Sequence, residues 1–253
     1  MGMPRLIFWA TALSTLVTGR PVAECSSKPP AFFLAGDSTT AINGGWGDGL
    51  LAALKTPAWG VNIGKSGATT ASFSAGGYWA NVTKHLKDNV SKYDCYVTIS
   101  FGHNDQKSTS GVTFEQYQAN LIRFANEVKS LGGTPLLTSS LTRRAFPAHQ
   151  DHNATDSLHD QRLAAIAAAK ATDSTIIDLN EASLKYVNAI GKQAAYEYNY
   201  GSDKKDTTHL NEHGTVVFGR MEADLIIRAK PCLEKYFTPN KTLSDAIWNN
   251  QPA

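Results

Sequence analysis

The run Tyr96-Val97-Thr98-Ile99-Ser100-Phe101, the longer stretch Thr113 to Leu131 and the run Thr134-Pro135-Leu136-Leu137-Thr138-Ser139 together decide the fold. The two outer runs are short, mostly apolar and bounded by turn residues, the pattern of strands buried on both faces. Between them Phe114, Tyr117, Leu121, Phe124 or Ala125, Val128 and Leu131 recur at three- and four-residue steps, which predicts a helix with one apolar face. Thr113 with Gln116 has the pattern of a capping box, and Gly132 supplies the stop. Strand, helix and strand in that order make a parallel crossover, whose helix must cover one face of the sheet.

The alternation continues outward in both directions. Upstream, Ala31 to Ala35 and Ala58 to Ile63 read as strands around a helix from Trp46 to Leu54, with Leu50, Leu51 and Leu54 inward. Downstream, Thr175 to Leu179 is a fifth strand, and Leu158 to Lys170, Glu181 to Ile190 and Asn211 to Ala229 are helices. The expected fold class is therefore α/β, a three-layer sandwich with a five-stranded parallel sheet between helices. In such sheets ligands bind beyond the C-terminal ends of the strands, so chemistry is to be sought there.

The 253 residues are 42% apolar and 18% charged, with 20 Gly and 10 Pro, which excludes disorder, collagen-like repetition and a coiled coil. Residues 1–23 hold Arg5, an apolar stretch from Leu6 to Val17 and a small-residue exit ending at Ala23, the pattern of a secretory signal peptide. The remaining 24–253 are expected to form one domain with a C-terminal tail from about 231. Cleavage would remove Arg5 and Arg20 and no acid, turning the formal +2 into 22 charges of each sign. A neutral secreted chain has no general attraction to nucleic acid or to anionic lipid, and a monomer without stable membrane association is expected. An oxidising compartment suits a disulfide between Cys25 and Cys232, with Cys95 a buried thiol, although sequence leaves the pairing open. Asn81, Asn89, Asn153 and Asn240 begin Asn-x-Ser/Thr sequons and are glycosylation candidates.

Four polar groups stand at strand ends or late in the chain. Gly36-Asp37-Ser38-Thr39 ends the first strand, and Ser38 is either an exposed nucleophile or a turn serine. Gly67 follows the second strand, where a backbone N–H could approach a ligand or a turn could need positive φ. Gly102-His103-Asn104-Asp105 ends the third strand, and Asn104 could donate its amide to an anion. Asp206-Thr207-Thr208-His209 lies just before the last long helix, at its start, where an acid can orient an imidazole.

In this order the four groups resemble the blocks of the SGNH/GDSL hydrolase superfamily over residues 31 to 229. Within it the chain looks most like the rhamnogalacturonan acetylesterases, carbohydrate esterase family 12. Leu34-Ala35-Gly36-Asp37-Ser38-Thr39, Asn43-Gly44-Gly45-Trp46-Gly47, Phe101-Gly102-His103-Asn104-Asp105-Gln106 and Leu141-Thr142-Arg143-Arg144-Ala145-Phe146 carry that likeness. The resemblance implies a flavodoxin-like strand order and a secreted serine esterase that needs no cofactor. Ser38 would be its nucleophile, His209 its base and Asp206 the orienting acid. The backbone N–H groups of Ser38 and Gly67 and the side chain of Asn104 would form the oxyanion site. The implied substrate is an acetylated plant cell-wall polysaccharide, rhamnogalacturonan first. Acetylxylan, a broader range of esters and a non-catalytic carbohydrate-binding role are the alternatives.

Other residues bear on this reading. Arg143-Arg144 would suit an acidic polysaccharide or internal pairing equally well. Trp46, like Trp79, is a sugar-stacking candidate that is also expected in the core. His209 and His213, or His149, His152 and His159, could be read as zinc ligands, but no metal is expected, because such histidines more often sit on solvated loops. The Gly-x-Ser-x-Gly elbow is absent, which argues against the larger α/β-hydrolase fold.

Overall fold

The computed structural model describes residues 26–253; the expected signal peptide and Cys25 lie outside the described residues. Five strands, β1 (Pro30–Gly36), β2 (Trp59–Asn62), β3 (Asp94–Ser100), β4 (Thr134–Thr138) and β5 (Thr175–Ile177), form one sheet. Their order is β2-β1-β3-β4-β5 with every neighbouring pair parallel. The fold is thus α/β with the flavodoxin-like order, and the order reverses between β1 and β3.

Alternation along the strands divides the core in two. Phe33 and Ala35 of β1 and Val97 and Ile99 of β3 face one cluster, completed by α2 (Thr70–Ala75), α3 (Tyr78–Asn89), α4 (Phe114–Ser130) and α5 (His159–Ala171). Phe32, Leu34 and Tyr96 face the other, completed by α1 (Gly47–Ala52), α6 (Leu179–Tyr196), α7 (Glu212–Ala229) and α8 (Lys241–Trp248). The expected capping box is present: Thr113 Oγ1 accepts from Gln116 N–H while Gln116 Oε1 accepts from Thr113 N–H. α6 is broken at Gly191, next to the expected end at Ile190.

Sequence reading assigns no element to residues 70–89, where α2 and α3 lie. Gly76-Gly77 separates them, although Trp79, Val82 and Leu86 of α3 keep helical spacing. Phe73, Trp79, Val82 and Leu86 are nevertheless fully inside the first cluster. The stretch from Pro231 is ordered among the described residues: a 3-10 turn at Pro231–Tyr236 and α8 lie against α7, and Ala253 N–H reaches the hydroxyls of Tyr186 and Tyr198. Cys232 is disulfide-bonded and Cys95 is a free, buried thiol whose pKa burial pushes up to about 11. Among the described residues no helix is long and apolar enough to cross a membrane.

Two expectations are corrected here. Trp46 is fully buried in the second cluster at the start of α1, so its ring cannot meet a substrate. His209 does not stand at a helix start. It belongs to a strand, β7 (Asp206–Leu210), which pairs antiparallel with β6 (Asn199–Tyr200), and α7 begins only at Glu212 behind its Asn211 cap.

Candidate active site

β1, β2 and β3 lie side by side, so the segments that leave their C-terminal ends emerge together, on both sides of the point where the strand order reverses. Gly36 ends β1 where a Cβ would stand 2.2 Å from Thr40 Oγ1 and 2.7 Å from Ser100 O; only glycine lets the chain turn so tightly against β3. Asp37 is buried beneath the turn. Its Oδ1 accepts from Thr39 N–H at 2.9 Å and Thr39 Oγ1 at 2.8 Å, and its Oδ2 accepts from His103 N–H at 3.3 Å. These bonds tie the turn after β1 to the turn after β3 and leave Ser38 facing outward between them.

His209 approaches from β7. Its Nδ1 lies 2.7 Å from Asp206 Oδ2 and its Nε2 lies 2.8 Å from Ser38 Oγ. Burial raises the Asp206 carboxyl, but N–H bonds from His209 and Thr208 and the charge on His209 outweigh it, so the group sits below the usual carboxylate range. An ionised carboxylate only accepts, hence Nδ1 carries the proton and Nε2 is the acceptor for the Ser38 hydroxyl. The hydroxyl, imidazole and carboxylate thus form a directed row in which a proton on Ser38 can pass to His209.

Candidate donors lie on the turns that leave the same end of the sheet. The N–H groups of Ser38 and Gly67 donate to no acceptor among the described residues. Gly67 has φ +77° and open space where a Cβ would be, which leaves that turn accessible. Asn104 Nδ2 donates to Ala68 O at 3.0 Å, which fastens the turn after β3 to the turn after β2. Lys107 Nζ donates to Asn104 Oδ1 at 2.7 Å. An ammonium on the carbonyl oxygen fixes the amide the other way round at the far end, with Nδ2 toward the Gly67-Ala68 turn. Asp105 Oδ1 accepts from Thr70 N–H at 2.8 Å and Thr70 Oγ1 at 2.6 Å. Burial pushes the Asp105 carboxyl up to about 6 while the Thr70 bonds oppose it.

His103 has no part in proton traffic at this spot. It is buried, its Nε2 donates to Leu141 O at 2.9 Å, and burial, with Arg143 nearby, pushes its pKa down to about 3. The other histidines read from sequence as possible zinc ligands are held apart. Both ring nitrogens of His209 are engaged, His213 packs edge-on against Tyr198, and His152 and His159 bond Asn188 O and Asp156. Among the described residues no group of three or more His, Cys, Asp or Glu could hold a metal ion.

The two arginines separate. Arg144 is fully buried and cannot bind a substrate, which corrects the expectation for it. Its Nε donates to Asn199 Oδ1 at 2.6 Å, a terminal NH2 donates to His209 O at 2.7 Å, and its backbone N–H donates to Thr207 O at 2.9 Å. It braces β6 and β7 and so the backbone of His209. Burial lowers its pKa to about 9. Arg143 is half-buried beside the site. Its Nε donates to Thr208 Oγ1 at 3.2 Å, and Gln106, with its amide in the orientation its neighbours require, accepts from Arg143 at 2.7 Å. Of the sequon asparagines, Asn81, Asn153 and Asn240 are exposed and Asn89 is half-buried, with Nδ2 on His85 O.

Lys107, the bonds of Asp105 to Thr70 and the bracing role of Arg144 were not read from sequence. Lys107 stands three residues beyond Asn104, and that spacing in a turn is the one signal available for it.

Comparison with known proteins speaks to the family. The GDSL-like Lipase/Acylhydrolase family matches residues 34–216, a span that begins within β1 and ends in α7. The chain is 28% identical to the rhamnogalacturonan acetylesterase RhgT of Bacillus subtilis strain 168 over 214 residues, covering 78% of this chain and 89% of that one. Among solved structures it resembles the Bacillus subtilis protein YXIM, with a TM-score of 0.68 and 20% identity; the match covers 79% of this chain and 57% of that longer one. A catalytic mutant of the acetylxylan esterase Axe2 from Geobacillus stearothermophilus aligns with a TM-score of 0.58 and 17% identity, over 86% of this chain and all of that one. At such identities the structural matches speak for the fold alone. With its strand order, its four sequence blocks and a family match over most of its length, the chain belongs to the GDSL-like lipase/acylhydrolase family.

Proposed function

We propose that this protein is a secreted serine esterase that removes acetyl groups from a plant cell-wall polysaccharide, with acetylated rhamnogalacturonan as the first substrate. The observation that carries the reading is the row Asp206–His209–Ser38: His209 lies 2.7 Å from Asp206, three residues before it, and 2.8 Å from Ser38 at the other end of the chain. The 28% identity to a rhamnogalacturonan acetylesterase supports the choice of substrate. A disulfide at Cys232 supports an oxidising, extracytoplasmic setting, in which the exposed sequon asparagines are modification candidates.

Ser38 Oγ attacks the acetyl carbonyl carbon while His209 Nε2 takes the hydroxyl proton. Asp206 holds the ring in place and stabilises the imidazolium. The N–H groups of Ser38 and Gly67 and the Asn104 amide meet the charge that develops on the carbonyl oxygen. Each such donor is worth about 10²–10³-fold in rate. Collapse breaks the bond to the sugar oxygen, which leaves with the proton from His209. Water, deprotonated by His209, then attacks the acetyl-Ser38 ester, acetate departs and Ser38 regains its proton.

The test is acetate release from a panel of acetylated polysaccharides. Release from acetylated rhamnogalacturonan well above that from acetylxylan is expected. Good release from acetylxylan with none from rhamnogalacturonan would reject the substrate and keep the chemistry. Binding without any ester hydrolysis would favour a non-catalytic carbohydrate-binding protein.

A further inference from the structure

The apolar period of α4 puts Phe114 on the same face as Tyr117 and Leu121. Those two are buried, but Phe114 is 43% exposed. As the first residue of the helix it projects beyond the region where α4 meets the sheet, and it lines an open groove of about 540 Å³. Gln106 and Lys107, from the turn that carries Asn104, line the same groove, as do Asp160 and Gln161 of α5. Lys107 links this groove to the turn that carries Asn104, because its Nζ lies 2.7 Å from Asn104 Oδ1. Single exposed apolar side chains need no explanation. An aromatic ring standing in a groove with an ammonium, amides and a carboxylate, one side chain away from Asn104, does.

A pyranose ring has a face of C–H groups and a rim of oxygens. A flat aromatic side chain meets the first, and convergent polar groups meet the second. Lys107 donates one N–H to Asn104, and two of its three donors remain for sugar oxygens. We infer that the groove between Phe114 and Lys107 is a sugar subsite, in which a main-chain pyranose neighbouring the acetylated one stacks on Phe114. The inference rests on the carbohydrate-ester reading above and adds how the polymer is held: as a chain lying across the surface, beyond the sugar that is deacetylated.

The experiment measures kcat/KM on an acetylated polysaccharide that the wild type accepts and on a small soluble aryl acetate. The readout is the ratio of the two, which cancels any general loss of folded enzyme. Phe114→Ala is expected to lower the ratio about fivefold or more, through KM on the polymer, and Phe114→Trp to restore it. If the alanine variant does not fold, Phe114→Leu, apolar but unable to stack, is expected to show the same fall. An unchanged ratio overturns the subsite and leaves the esterase reading standing. A wild type that cleaves the aryl acetate and no acetylated polysaccharide overturns both the subsite and the polysaccharide substrate, and keeps the ester chemistry.

Discussion

At the scale of single residues, a serine hydroxyl becomes a nucleophile only when its proton has somewhere to go and the product charge has somewhere to rest. In the proposed reaction His209 and Asp206 would supply the first, and the N–H groups of Ser38 and Gly67 with the Asn104 amide the second. Of these donors Asn104 alone is a side chain and can be removed. Asn104→Ala should lower kcat about 10²–10³-fold with little change in KM. Lys107 touches Asn104 rather than the substrate's acetyl group, so in this step it is a positioning residue. Lys107→Met should lower kcat on a small ester about tenfold. In the Asn104→Ala background it should change kcat far less, because nothing remains to position. Additive effects in that double-mutant cycle would separate Lys107 from Asn104. Arg144 also acts at one remove. Arg144→Gln leaves the carbonyl of His209 and the side chain of Asn199 without a buried donor. A loss of roughly 1–3 kcal/mol in stability together with lower kcat is expected. A raised KM with unchanged Tm would instead return Arg144 to substrate binding.

At the scale of elements, what could be read from sequence follows from how each residue earns its place. β1, β3, β4 and α4 were legible because burial on two faces, or on one helical face, leaves an apolar pattern that polar chemistry does not disturb, while the half-buried edge strands β2 and β5 were legible from their place in the alternation. That Ser38, Gly67 and Asn104 lie on turns at the same end of the sheet was legible because all three follow adjacent parallel strands. Buried Arg144 was not, since an arginine that braces a strand and one that faces solvent are spelled alike. Phe114 kept the helical period yet stays 43% exposed at the start of α4, and Trp46, read as either a sugar platform or a core residue, is fully buried where α1 begins. Glu222 was equally invisible: a charged residue within the apolar face of α7, fully buried, with Oε1 accepting from Thr138 Oγ1 at 2.8 Å. Burial pushes its pKa from 4.5 up to about 8. Below pH 4.5 folded and unfolded chains are both protonated at this group. Between 4.5 and about 8 the unfolded chain loses the proton and the folded one keeps it, so stability falls as pH rises. Glu222→Gln, neutral and of equal size, should therefore gain Tm over the wild type progressively from about pH 5 to about pH 8. A gap that does not change with pH would contradict the buried, protonated state.

At the scale of the whole molecule, the sheet presents one edge to chemistry while its margins are held by other means. The tail beyond α7 folds back: Phe237 bridges to Leu54 after α1, Trp248 Nε1 donates to Asp224 at 2.7 Å, and Arg228 lies 3.5 Å above the Trp248 ring. The disulfide at Cys232 lies in the turn that starts this return. Cys232→Ser should lower stability by about 2–5 kcal/mol with kcat little changed, since the turn is remote from Ser38. Cys95→Ala should leave disulfide content unaltered. An equal Tm for wild type and Cys232→Ser under non-reducing conditions would deny the disulfide a stabilising role.

All of these expectations depend on Ser38 being the activated nucleophile. The most direct measurement treats the protein with a fluorophosphonate, which phosphonylates an activated serine, and locates the adduct by peptide mass spectrometry. The expected result is a single adduct on Ser38, absent from folded Ser38→Ala and strongly slowed in His209→Ala. A phosphonyl group on a different residue, or undiminished labelling of Ser38→Ala, would contradict it.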